Sequence, residues 1–147
     1  LNDMTVSTIA EEPFGGDPFP GHDRINHSLG EIQAIVKQGR PDWRIALEQM
    51  KGVYVIHDAA TGEAYVGSAY GDTGIWQRWS YYAHTFHGDN VGLKAHLAAH
   101  GEDYFRKNMR FALLEFWSMR TDDTHVIDRE NYWKGVLLSR SLGHNKN

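Results

Sequence analysis

Two short apolar runs separated by a polar turn, in the stretch KGVYVIHDAATGEAYVGSAYG, constrain the fold most. Residues 53–56 and 64–66 are rich in strand-favouring side chains, and the segment HDAATGE lies between them. Gly62 occupies the position at which such a loop requires a positive φ. The stretch therefore predicts a β-hairpin with one tyrosine on each strand, Tyr54 and Tyr65.

Helical patterns lie on both sides of this hairpin. Ser28, followed three residues later by Glu31, predicts a capping box and a helix that ends at Gly39, and Pro41 begins a second helix. Periodicity predicts four further elements: helices in IWQRWSYYAH after Gly74, in VGLKAHLAAH, and from Asp122 or Asp123 to about Ser139, and a strand over residues 109–116.

The predicted order is helix, helix, strand, strand, helix, helix, strand, helix. This order indicates an α+β fold with a small three-stranded, mostly antiparallel sheet flanked by helices. Alternation in the third strand places Phe111, Leu113 and Glu115 on one side of that sheet. We expect residues 1–42 to form an acidic N-terminal arm plus a short helix, and residues 43–147 to form the main domain.

Composition narrows the class of protein. A chain of 147 residues suits one domain with its own core, and the lack of cysteine is typical of a reducing compartment. Without a long apolar run or a basic start, we expect a soluble, cytoplasmic protein with no membrane contact. The net charge of −4 arises in residues 1–50, with eight acids and four bases. The rest of the chain is neutral overall, which leaves nucleic acid open as a partner.

Glu130 lies on the apolar face of the last predicted helix. Apolar residues surround it at helical spacing: Val126, Ile127, Trp133 and Leu137. One explanation is a salt bridge with Lys134, and another is a metal ligand or an acid–base group in a cleft. The helix pattern by itself favours the salt bridge, because buried acids are more often paired than catalytic.

Two other pairs of residues have both a structural and a functional interpretation. Arg78 and Tyr82 lie one helical turn apart. Arg78 is either a surface residue whose stem packs over an aromatic ring or a residue whose guanidinium holds a phosphate. Tyr54 and Tyr65 are either good strand residues or the functional surface of the hairpin. Spacing does not decide between the two interpretations of Arg78 and Tyr82, whereas strand packing is the favoured interpretation of Tyr54 and Tyr65 taken alone.

The histidines form two close pairs, His84 with His87 and His96 with His100. His96 and His100 are four residues apart, so they share one face of their helix and could hold zinc. The pattern favours exposed helix residues instead, because the pair lacks the glutamate of a zinc-protease motif. His100 also lies near a helix C-terminus, where a positive ring is favoured.

Taken in order along the chain, these features resemble the GIY-YIG nucleases. GVY at residues 52–54 and YVG at residues 65–67 match the paired motif of that family. Four later residues match its pattern in the same order: Arg78, Tyr82, Glu130 and, in GHNKN, Asn145. The resemblance covers residues 43–147 and implies the fold of that family for this part of the chain.

The resemblance implies an endonuclease that hydrolyses DNA phosphodiester bonds with one divalent cation. Glu130 would hold Mg²⁺, for which Mn²⁺ substitutes, on the leaving-group side of the phosphate. Tyr54 would take a proton from the attacking water, which requires a lowered pKa, and Arg78 would stabilise the transition state. Tyr65 and Tyr82 would orient phosphate or water.

The resemblance also has consequences at the edges of the site. Asn145 would anchor the chain end against the site. Some relatives have a lysine just before the second motif that assists the tyrosine; the nearby residue here is Glu63, so Lys51 is the alternative source of a positive charge. We expect DNA as the partner, a homodimer that cuts both strands, and a restriction or phage-defence role. The alternative is a non-catalytic nucleic-acid-binding module on the same platform, which would not need Glu130.

Overall fold

The computed structural model describes residues 17–142, with side chains described as far as residue 137. Within this range, six α-helices pack on a four-stranded antiparallel sheet with the strand order β1-β4-β2-β3. A short 3-10 helix at His22–Arg24 precedes the other elements, which are β1 (His27–Ser28), α1 (Leu29–Gln38), α2 (Pro41–Glu48), β2 (Met50–Asp58), β3 (Ala64–Ala69), α3 (Gly74–Thr85), α4 (Val91–His100), α5 (Glu102–Asn108), β4 (Met109–Ser118) and α6 (Asp123–Leu142).

The predicted hairpin is confirmed. β2 and β3 pair antiparallel, with Tyr54 opposite Gly67 and Ile56 opposite Tyr65. Gly62 has a φ of 84° in the connecting loop, a conformation that glycine adopts at little cost. β3 is the outermost strand of the described sheet, so it has an outer edge that faces away from β2.

The sheet has four strands and not the three that were predicted. β1 is only two residues long and pairs antiparallel with β4, with His27 opposite Phe111. Two residues are too few to show alternation, so no sequence pattern marks this strand. Helix α5 was also missed, because its seven residues bury only Phe105 and therefore carry no apolar stripe.

A β-bulge in β4 overturns the predicted position of Glu115. Tyr54 pairs with Leu113 and the preceding residue of β2 pairs with Glu115, so Leu114 is the extra residue. Leu113 packs on the main core, whereas the Glu115 carboxylate faces α6 and accepts a hydrogen bond from Arg129 Nε at 2.7 Å. The inserted residue shifts the alternation by one position, which sends Glu115 to the other side.

Both faces of the sheet are covered. One face packs on helices α1 to α5 in the main core, whose bulkiest buried side chains are Trp43, Trp79, Tyr54, Phe105 and Phe111. On the other face, Val53 and Val66 pack against Val126 of α6. Leu29 and Ile32 of α1 lie in the main core, so the described part of residues 1–42 shares the core of the remaining chain.

The predicted ends of the helices are largely confirmed. The Ser28 side chain accepts a hydrogen bond from the Glu31 N–H at 3.1 Å, and the Glu31 carboxylate accepts one from the Ser28 N–H at 2.8 Å. α1 ends at Gly39 in the left-handed conformation. α6 begins at Asp123 and continues to Leu142, beyond the predicted end near Ser139. Among the described helices, none has the length and apolarity to cross a membrane.

Candidate active site

An open cleft of about 680 Å³ follows the outer edge of β3, and we call it the edge cleft. Residues 66–70 line it from the sheet, Glu130 lines it from α6, and Arg78 and Tyr82 line it from α3 together with the loop at 88–90. α3 and α6 cover opposite faces of the sheet. Side chains from both faces therefore meet around the outermost strand.

Glu130 projects from α6 toward the sheet, as its position among apolar residues predicted. Ser68 Oγ donates a hydrogen bond to Glu130 Oε1 at 2.6 Å, and Lys134 Nζ lies 3.1 Å from Oε2. The side chains of Glu130 and Lys134 are 17% and 48% exposed. The salt bridge that the sequence left open is thus present, but a pair this exposed contributes little to stability, and the carboxylate also faces the cleft.

Arg78 is held in place by two hydrogen bonds and a ring. Its Nε donates to Tyr54 Oη at 3.1 Å, and its Nη2 donates to the Gly88 carbonyl at 3.2 Å. The guanidinium carbon lies 5.2 Å from the centroid of the Tyr82 ring, which is a favourable cation–π distance. A guanidinium has five N–H donors, so these bonds leave others for an anion in the edge cleft.

Tyr54 lies behind the cleft wall and is fully buried. Its hydroxyl donates a hydrogen bond to Tyr82 Oη at 3.1 Å while it accepts one from Arg78. Burial raises the pKa of Tyr54 well above its ordinary value, Tyr82 adds to this effect, and Arg78 opposes it. The direction is opposite to the lowered pKa that a general base requires. In this structure Tyr54 is a protonated support for Arg78 and Tyr82.

Tyr65 lies beside the edge cleft and lines a smaller adjoining pocket with Asn90 and Lys134. Its ring packs against Gly92 of α4, and its centroid is 5.9 Å from that of His96. Burial raises the pKa of Tyr65 to about 12, with a contribution from nearby carboxylates. The structure thus brings Arg78, Tyr82 and Glu130 into one cleft, whereas Asn145 lies outside the described residues.

Ser68 and Asp89 are among the polar residues of the cleft that were not recognised in the sequence. Ser68 directly follows the YVG motif, and strand alternation could have placed it on the α6 face beside Glu130. Asp89 also lines the cleft, where it accepts a hydrogen bond from Tyr81. It has a φ of 65° in a loop between two helices, and no periodic pattern predicts the position of such a residue.

The oxygen donors of the edge cleft fit a hard divalent cation. Glu130 and Asp89 both offer carboxylates, which Mg²⁺ prefers, and the open volume leaves room for the waters that this ion retains. Lys134 lies against one oxygen of Glu130, but the lysine is about half exposed, so it can move into solvent at little cost and free that oxygen. Glu130 is therefore a suitable ligand for the ion that the resemblance implies.

A second polar cluster lies where β2 enters the hairpin loop. Asp58 is fully buried there, and its Oδ1 accepts hydrogen bonds from the backbone N–H groups of Ala60 and Thr61 at 2.8 and 3.3 Å. Its Oδ2 is 2.7 Å from His96 Nε2 and 2.6 Å from Tyr104 Oη. Burial raises the pKa of Asp58, but these hydrogen bonds outweigh burial and lower the pKa to about 2.

Acid is expected to destabilise the fold through Asp58. The folded pKa of about 2 lies below the ordinary value of 3.8, so the ionised carboxylate stabilises the fold above about pH 4. This contribution, roughly 2 kcal/mol, is lost as the pH falls toward 2. Urea unfolding at about pH 5 and about pH 2.5 measures it. Asp58→Asn should lose this part of the pH dependence, which the exposed-site control Asp128→Asn retains, while Asp42, Glu115 and Asp123, whose pKa values are also lowered, keep their own contributions. Equal dependence in both variants would contradict the assignment.

Comparisons of the chain with protein-family models, with curated proteins and with solved structures found no match. The resemblance to GIY-YIG nucleases therefore depends only on the residues and motifs of the sequence named above.

Proposed function

We propose that the chain is a metal-dependent endonuclease of the GIY-YIG type that hydrolyses DNA phosphodiester bonds. The observation that carries this proposal is the position of Glu130 and Arg78 in one open cleft, on helices that cover opposite faces of the sheet. A carboxylate suited to a cation, together with a guanidinium suited to a phosphate, is what phosphodiester hydrolysis requires. The hairpin followed by α3 supports the GIY-YIG-like fold.

Each residue of the cleft has one task in this proposal. Arg78 binds the oxygens of the scissile phosphate and stabilises the negative charge that grows in the transition state. Tyr82, whose hydroxyl accepts a hydrogen bond from Tyr54, orients phosphate or water. Glu130 holds Mg²⁺ or Mn²⁺, with Ser68 fixing one carboxylate oxygen. A divalent cation bound by Glu130 would supply charge stabilisation for the leaving oxygen.

DNA is the proposed partner because the cleft combines cations with exposed aromatic rings. Tyr70 and Tyr81 line the edge cleft and are 46% and 39% exposed, so their faces are available to stack on bases. Arg78 and Lys134 supply positive charge for the phosphates. The proposal includes a homodimer that brings one cleft to each strand, a cytoplasmic location, and a restriction or phage-defence role.

The state of Tyr54 favours a second candidate function. A buried, protonated tyrosine does not remove a proton from water, and the sequence-based mechanism assigned it that role. In a non-catalytic nucleic-acid-binding module the same tyrosine would only hold Arg78 toward a phosphate. Glu130 would then serve in its salt bridge with Lys134, without any metal.

Incubation with supercoiled plasmid and with a linear duplex tests the proposal. The purified chain is expected to nick or linearise the plasmid with Mg²⁺ or Mn²⁺ and to leave it intact with a chelator. Glu130→Gln, purified identically, is expected to cut no DNA, which excludes a contaminating nuclease. The matched control is Glu115→Gln. The Glu115 carboxylate pairs with Arg129 and does not line the edge cleft, so this variant should cut DNA as the wild type does.

Two outcomes would contradict the nuclease assignment in different ways. If wild type and Glu130→Gln both retard DNA in a gel and neither cuts it, the binding module replaces the enzyme. If Glu130→Gln cuts at the wild-type rate with the same metal dependence, the cation is held elsewhere and Glu130 is not its ligand.

A further inference from the structure

A cluster of carboxylates and imidazoles joins the hairpin loop to α4. Asp58, Glu63 and His96 place ligand atoms within 4.8 Å of one another. His100 follows His96 by one helical turn, and the centroids of the two rings are 4.4 Å apart. We propose that this cluster binds Zn²⁺, with Glu63, His96 and His100 as ligands and Asp58 as the residue that orients His96.

His96 has a carboxylate at each ring nitrogen. Nε2 lies 2.7 Å from Asp58 Oδ2, and Nδ1 lies 3.3 Å from Glu63 Oε1. A neutral imidazole carries only one proton, and the shorter contact with the fully buried carboxylate assigns that proton to Nε2. Nδ1 then directs its lone pair at an oxygen of Glu63. Two acceptors this close are joined either by a second proton on Nδ1 or by a metal ion, and we propose the metal ion.

The separation of these two atoms fits zinc. Bonds of about 2.0–2.2 Å to nitrogen and oxygen, at the tetrahedral angle, place two ligand atoms about 3.3–3.6 Å apart. The separation of His96 Nδ1 and Glu63 Oε1, 3.3 Å, lies at the lower end of this range. A carboxylate on the opposite ring nitrogen, here Asp58, is the usual outer partner of a metal-bound histidine. That partner fixes the tautomer that leaves Nδ1 free to bind the ion.

His100 completes the set from the same helix. Residues four apart on a helix are neighbours on one face. The His100 ring stacks on Tyr104, with 4.3 Å between the centroids, and its exposed position lets it turn from there toward an ion held by His96. Two imidazoles and one carboxylate suit zinc, whereas Mg²⁺ prefers oxygen donors such as those of the edge cleft. The cluster is therefore expected to select a different ion from Glu130.

The ion would connect the hairpin to α4. Glu63 immediately precedes β3, and its side chain is 56% exposed, whereas that of His96 is 7% exposed. The site is thus anchored on a buried imidazole and opens to solvent on the side of Glu63. Zinc held there would restrain the loop of the hairpin that carries Tyr54 and Tyr65, and it would raise the thermal unfolding temperature. The proposal does not depend on nuclease activity.

Isothermal titration calorimetry of the chelator-treated 147-residue chain with ZnCl₂ tests the site. The visible absorption of bound Co²⁺ reports the geometry of the ligands. One Zn²⁺ per chain is expected. Glu63→Gln and His100→Asn should each weaken binding by at least about tenfold, and circular dichroism checks that both variants fold. His84→Asn and Glu102→Gln, which remove an exposed imidazole and an exposed carboxylate outside the cluster, should bind as the wild type does.

Three results would overturn the proposal. Lack of Zn²⁺ binding by the wild type would mean that a proton on Nδ1 joins His96 to Glu63, without any metal. Undiminished binding by Glu63→Gln would assign the ion to histidines elsewhere in the chain. If His100→Asn bound Zn²⁺ as tightly as the wild type while Glu63→Gln did not, His100 would not be a ligand and the proposed set of three ligands would be wrong.

Discussion

The Arg78→Ala variant is expected to cleave DNA about a hundred- to a thousandfold more slowly than the wild type. The Arg78 guanidinium is fixed at the wall of the edge cleft by its bonds to Tyr54 Oη and the Gly88 carbonyl. A donor that is positioned before the reaction begins stabilises the transition state without reorganisation. Alanine removes both the charge and its fixed direction, so the loss should appear in the rate of the chemical step.

A lysine variant separates charge from geometry at this position. Arg78→Lys retains a positive charge but loses the planar fork and the Nε–H bond to Tyr54, so we expect an intermediate rate. The matched control is Arg129→Ala, because Arg129 pairs with Glu115 on the α6 side of the sheet. Single-turnover cleavage with saturating enzyme compares the three variants. Wild-type rates in Arg78→Ala would exclude this residue from the site.

The parts of the fold that were predicted correctly depend on local chemistry. The hairpin follows from two strand-forming runs and from Gly62, which provides the positive φ that the loop between them requires. The start of α1 follows from the reciprocal bonds of Ser28 and Glu31, three residues apart. Such features involve neighbours in sequence, so they can be recognised without knowledge of the remaining chain.

The parts that were missed depend on contacts between distant segments. β1 exists because His27 and Ser28 pair with Phe111 and Arg110 of β4, more than 80 residues later in the chain. Two residues carry no pattern of their own. The extra residue in β4, Leu114, is defined only by its pairing with β2. This bulge directs Glu115 toward α6, away from the side that simple alternation predicts.

The candidate site shows the same division. Helical spacing predicted that Glu130 projects from the apolar stripe of α6, and the resemblance to a nuclease family supplied the reason to group it with Arg78. Neither source indicated that Tyr54 is fully buried, because its burial results from the packing of α3 over the hairpin. The raised pKa of Tyr54 follows from that packing, and it changes the role that Tyr54 can have.

Gly67→Ala is expected to reduce stability and cleavage together. A Cβ atom at position 67 would lie 2.6 Å from both Cζ and Oη of Tyr54, well inside van der Waals contact. Tyr54 is fully buried, with the Trp79 and Tyr82 rings packed edge-on against it, so it has little room to withdraw. Overpacking of a well-packed core costs about 1–3 kcal/mol, and urea unfolding should show a loss in this range.

The same displacement should reach the edge cleft. The Tyr54 hydroxyl forms hydrogen bonds with both Arg78 and Tyr82, so movement of its ring disturbs the guanidinium that we propose as the phosphate-binding group. The matched control is Gly135→Ala in α6, where the added Cβ has nothing within 4 Å. Because alanine favours the helix, this variant should gain about 0.5–1 kcal/mol and cleave normally. If Gly67→Ala were as stable and as active as Gly135→Ala, Tyr54 could not lie against position 67, and its support of Arg78 would have to be abandoned.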